Sequence, residues 1–134
     1  MQQIEPSITA LAEAYAAYLA TNDEALEWAL FEVMDLCMDG PWDKLWRLVQ
    51  ALATLPEEPA PTVLAAMAAG PLEDLLAKAG PEYIAVVEAF ARSTPRAARM
   101  LTGVWQSSIQ SDVWQRVVRF CREVPDPIDG TYAY

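Results

Sequence analysis

The sequence predicts an all-α fold, an irregular bundle or short helical-hairpin array of about six to eight short helices. Three observations carry this. Ala, Leu and Glu, all strong helix formers, dominate the chain. No run alternates apolar and polar residues with the period of two that a half-buried strand needs. Gly-Pro pairs at Gly40-Pro41, Gly70-Pro71 and Gly80-Pro81 punctuate the sequence. Gly suits the residue after a helix, and Pro, whose missing N–H costs nothing at a first helical position, opens the next one.

Each element follows from that punctuation. A first helix is expected over Pro6 to Ala20, with Ile8, Leu11, Ala12, Tyr15 and Leu19 as its apolar stripe. A second begins near Asn22, where Thr21 and Glu24 fit a capping box, and stops at Gly40. Further helices are expected over Trp42 to Thr54, Thr62 to Ala69, Pro71 to Ala79, Pro81 to Ser93, Pro95 to Leu101 and Asp112 to Val124. Leu55 to Pro61, with its prolines and glutamates, is the clearest loop. Thr102 to Gln110 reads as a loop or a broken helix, and Pro125 to Tyr134 as an irregular tail. Gly-Pro-Trp-Asp-Lys-Leu and Gly-Pro-Leu-Glu-Asp-Leu, 30 residues apart, look like a faint repeat. Shared helix-start chemistry accounts for them equally well. No domain boundary is visible, so residues 1–134 are expected to form a single helical domain.

Charge is distributed unevenly. The first 43 residues carry nine acids and no Lys, Arg or His, and the net charge is −10. Such a surface repels nucleic acid and anionic lipid and attracts basic proteins. No uncharged stretch is long enough to cross a membrane, and the N-terminus lacks the basic region of a signal peptide, so a cytoplasmic location is expected. Two cysteines, Cys37 and Cys121, make no disulfide framework.

The chain offers little for catalysis, and no enzyme is expected. Without histidine there is no Ser-His-Asp or Cys-His chemistry, and the commonest metal ligand is missing. Both cysteines fall on apolar helix faces and read as small buried hydrophobes. No glycine-rich phosphate loop occurs, so no cofactor is expected. Glu73 and Asp74 directly follow Pro71, where carboxylates offset the positive end of a helix. Glu32, Asp35 and Asp39 share a helix face, which is more often a solvated face than a Ca²⁺ or Mg²⁺ site. No metal is expected.

Met67 to Gly80 reads Met-Ala-Ala-Gly-Pro-Leu-Glu-Asp-Leu-Leu-Ala-Lys-Ala-Gly, followed later by Gly103-Val104-Trp105 and Val113-Trp114. Together these resemble a family of small uncharacterised bacterial helical domains, marked by an Ala-Gly-Pro-Leu-Glu-Asp-Leu-Leu segment and a Gly-Val-Trp segment. The resemblance spans Glu27 to Phe120. It implies a bacterial, helical, single domain and brings no activity with it.

On a helical wheel from Asp23 to Asp39, Leu26, Ala29, Leu30, Val33, Met34, Leu36 and Cys37 fall on one side. Glu24, Glu27, Glu32, Asp35 and Asp39 fall on the other, together with Trp28 and Phe31. Aromatic anchors among acids are what a binding surface for a basic protein needs. The other reading is that a neighbouring helix or the C-terminal tail, with Tyr132 and Tyr134, covers both aromatics. Trp42, Trp46 and Trp114 lie on apolar stripes and read as core. Arg92, Arg96, Arg99, Arg116, Arg119 and Arg122 form a basic second half that is solvated, or docks on the acidic part of the same or another copy, as in a homodimer.

The expected function is a non-catalytic acidic protein-binding module that masks a basic partner, such as an immunity protein neutralising a bacterial toxin. Partner-binding residues would be Glu24, Glu27, Trp28, Phe31, Glu32, Asp35 and Asp39. The alternatives are a phage-type nucleic-acid mimic that inhibits a nucleic-acid enzyme, and a self-assembling structural or regulatory subunit. An enzyme would require Glu73 or Asp74 in a deep pocket with a raised pKa.

Overall fold

A computed structural model describes residues 7–128 and is all-α, with no strand among them. The elements are α1 (Ile8–Thr21), a 3₁₀ turn (Glu24–Leu26), α2 (Glu27–Asp39), α3 (Trp42–Ala53), α4 (Pro61–Met67), a π turn (Ala68–Leu72), α5 (Glu73–Ser93), α6 (Pro95–Thr102) and α7 (Ser111–Cys121). The arrangement is an irregular bundle. Helix α1 packs on α2 and α3, while α5 packs on α6 and α7, and α3 touches both groups. The core is contiguous. Leu45, Leu48, Leu52, Leu64, Met67, Leu75, Leu76, Met100 and Leu101 are completely shielded from solvent.

Helix starts depart from expectation in two places. Ser7 caps α1 by accepting from the Ala10 N–H. The chain then leaves α1 through Asn22 at φ 56°, and Thr21 is the last helical residue rather than the cap of the next helix. Its hydroxyl donates back to the Ala17 carbonyl. The cap of the following turn is Asp23, which accepts from the Ala25 N–H. Asp fills this role because its short carboxylate reaches a free N–H while its own backbone stays extended.

The Gly-Pro pairs are not equivalent. Gly40-Pro41 behaves as expected: Gly40 has φ +73°, ends α2, and Pro41 precedes α3. Gly70-Pro71 does not separate two helices. It lies inside the π turn that joins α4 to α5 without a break. Widening the turn to i→i+5 bonds accommodates a proline, which has no N–H to give and whose ring collides with the carbonyl four residues back. The Glu73 N–H accordingly donates to the Ala68 carbonyl, five residues earlier. Gly80-Pro81 does divide two helical segments, as expected: they meet at a kink where Ala79 leaves helical geometry. Helix α5 kinks at Ala79 (φ −140°, ψ 26°) and runs on to Ser93. The faint repeat therefore has no counterpart in the structure.

The irregular segments are pinned by arginines. Arg96 donates to the Leu55 carbonyl at 2.8 Å. Arg99 reaches Glu58 at 3.3 Å and the Asp126 carbonyl at 3.0 Å. The segment after α7 folds back: Ile128 is buried, and its N–H donates to the Thr102 hydroxyl at 2.9 Å. Tyr132 and Tyr134 lie outside the described residues.

Candidate protein-docking face

Helix α2 is two-sided. Ala29, Val33, Leu36 and Cys37 are buried against the bundle. The opposite side exposes Trp28 (41%), Phe31 (53%), Met34 (47%) and Met38 (64%). Steps of three, three and four residues place these side chains along one stripe of the helix. Trp28 and Phe31 are thus exposed, with no helix among the described residues covering them. Met34, expected on the core side, joins them because the wheel places it at the margin of the buried arc. Glu24, Glu27, Glu32, Asp35 and Asp39 are all exposed around the stripe. The ion pairs among the described residues use none of these five carboxylates. Their charge remains available to solvent or to a partner. The expected face is brought together as a whole, and Met38 extends it by one turn.

A second cluster lies behind α2, and it is where the Gly-Pro-Leu-Glu-Asp-Leu-Leu segment falls. The Lys78 ammonium donates to the carbonyls of Cys37 at 2.9 Å and Met38 at 3.3 Å, the last turn of α2. A cation there offsets the negative helix end. The same ammonium sits 5.8 Å from the centre of the Trp42 ring. One turn earlier, the Asp74 carboxylate lies beside the Cys37 thiol. Burial, reinforced by the Asp74 charge, pushes that thiol up to about 12. Burial likewise raises the Tyr15 hydroxyl above its usual 10, helped by nearby Cys37 and Asp74. Cys37 is therefore a neutral packing group, beside a carboxylate the sequence did not disclose. The spacing of Asp74 and Lys78, four apart, was the available signal that both face the same neighbour.

Glu73 points elsewhere. Its carboxylate accepts the Trp105 N–H at 2.8 Å and holds the Gly103 to Gln110 segment, leaving the Trp105 side chain exposed. Burial raises the Glu73 pKa, the Trp105 N–H opposes this, and the neighbouring Asp74 charge adds to it. The expected helix-start role of Glu73 and Asp74 does not hold, because the π turn continues the helix through Pro71 and leaves no free N-terminus for them to offset. Among the described residues no three Asp, Glu or Cys side chains converge as a metal site would require, and Glu32, Asp35 and Asp39 stay spread along α2.

A family model described as a family of unknown function (DUF6869) matches residues 18–124. The chain belongs to this family. The matched stretch includes the whole of α2, the π turn, and the Gly103 to Trp105 segment. No curated protein and no solved structure matches the chain. No helix among the described residues is long and apolar enough to cross a membrane.

Proposed function

We propose that this protein is a non-catalytic binding module whose α2 face masks a basic protein partner, in the manner of an immunity protein that neutralises a bacterial toxin. One observation carries the reading: an exposed stripe of Trp28, Phe31, Met34 and Met38 bordered by five exposed carboxylates. Exposed aromatic and methionine side chains provide the burial that anchors an interface, and methionines adapt to the surface they meet. The surrounding acids steer a basic partner and disfavour acidic ones. An apolar stripe through the acids favours a folded protein partner over mimicry of nucleic acid, which calls for carboxylates spaced like phosphates.

The test is capture of partners from the source cell at low and moderate salt, followed by titration calorimetry with the purified partner. The Trp28→Ala/Phe31→Ala variant is the control. A basic protein bound one to one, with affinity falling about a hundredfold or more in the variant, supports the proposal. Unchanged affinity in a folded variant overturns it.

A further inference from the structure

A second recessed surface differs from α2 in both shape and charge. A cleft of about 420 Å³ between α1 and the Leu55 to Ala60 loop has an alanine floor and a glutamate rim, and one of those glutamates, Glu58, is already paired with Arg99. The larger cleft, about 550 Å³, lies between the second half of α5, the start of α6 and the end of α7. Its body is apolar, built from Ala91, Pro95, Ala98, Phe120, Val124 and Pro125. Arg92 from α5 and Arg119 from α7 line it. Both arginines are exposed. Neither makes a hydrogen bond or ion pair with another described residue. In a chain with a net charge of −10, acids are plentiful, yet no described acid pairs with either guanidinium group.

We infer that this cleft binds a small organic monoanion, a carboxylate on an apolar or aromatic body. Its volume falls in the range of small-molecule sites, and such sites pair an apolar lining with a few placed polar groups. Guanidinium groups match a carboxylate in shape and charge. Phe120, half-buried, lines the wall and adds aromatic surface for the ligand body. The two acids of the wall set the charge preference. Glu88 is neutralised by Arg116 across α5 and α7, so it does not repel an anion. Glu123 has no such partner among the described residues and disfavours a second negative charge. The inference is independent of the role proposed for α2.

Benzoate, benzyl alcohol and phenyl phosphate at pH 8 are the probes, each titrated against the full chain by NMR chemical-shift changes. Benzoate should bind saturably with its shifts on α5 and α7, more tightly than the neutral alcohol and the dianionic phosphate. Arg92→Gln and Arg119→Gln should each weaken it about tenfold, the loss expected for a charged hydrogen bond. Both residues are exposed, so the variants should retain the wild-type melting temperature. The inference is overturned if benzyl alcohol or phenyl phosphate binds as tightly as benzoate, if no probe binds, or if benzoate binding is unchanged in both variants.

Discussion

The carboxylates of α2 and those at the start of α5 are the same chemical groups put to opposite uses. On α2, Glu27, Glu32, Asp35 and Asp39 stand in solvent around an apolar stripe, outside any ion pair among the described residues. On α5, Asp74 faces the buried Cys37 and Tyr15, while Glu73 holds the Trp105 backbone. The first set is exposed to any partner; the second is used within the molecule. Burial makes the difference, since a desolvated carboxylate must find local donors, whereas an exposed one keeps its field for an approaching charge.

This contrast can be broken most decisively by neutralising the α2 acids. Glu27→Gln/Glu32→Gln/Asp35→Asn should slow association with a basic partner about tenfold or more at low salt, and flatten its salt dependence. Glu73→Gln should leave the association rate unchanged. Stopped-flow binding at several ionic strengths makes the comparison.

Stability should respond in the reverse way. Gly103→Ala would place a Cβ 2.8 Å from both the Ala68 Cβ and the Ile128 Cδ1. Backbone-borne Ala68 cannot yield freely, so urea denaturation should show a loss of about 1–3 kcal/mol. The α2 acid variant should stay within about 0.5 kcal/mol of wild type, as exposed substitutions do.

Lys78 links the two regions, because it extends from α5 to the final carbonyls of α2. Lys78→Met keeps the aliphatic stem and removes the donor and the charge, with an expected cost of about 1 kcal/mol in the same denaturation experiment. Hydrogen exchange should speed up in the last turn of α2 more than in α7.

The smallest effect concerns alkaline pH. Below pH 9 the Cys37 thiol is neutral in both folded and unfolded chains and contributes no pH dependence. Between 9 and about 12 the unfolded chain releases the proton and the folded one retains it, so stability falls as pH rises. Tyr15 adds to the fall above its ordinary value of 10. Cys37→Ala should make the decline shallower in urea midpoints measured between pH 8 and pH 10.5, and an identical slope would show that the thiol has no part in it.

The helical class, the acidic half and the members of the α2 face were legible in the sequence, because each rests on local periodicity and composition. Leu36 and Cys37 face inward, and Trp28 and Phe31 outward, as a helical repeat requires. The exposure of the two aromatics was not legible. A wheel shows which residues share a side, but it cannot show whether another helix covers that side. Gly-Pro was equally ambiguous. The same dipeptide ends a helix at Gly40, lies within a π turn that joins two helices at Gly70, and follows a kink between two helical segments at Gly80. The outcome turns on what packs nearby: a Cβ at Gly80 would meet the Val113 side chain at 3.1 Å, a tight approach of α5 to α7 that glycine relieves.

The sequence by itself determined that the chain is helical, that its first part is negative, and that one helix carries aromatics among acids. Only the tertiary structure decided that no described helix covers those aromatics, that Asp74 and Lys78 lie behind α2, and that Arg92 and Arg119 share a cleft. The first group depends on neighbours along the chain, within a turn or two of helix. The second depends on contacts between residues tens of positions apart, which form only when the separate helices bury their apolar faces together.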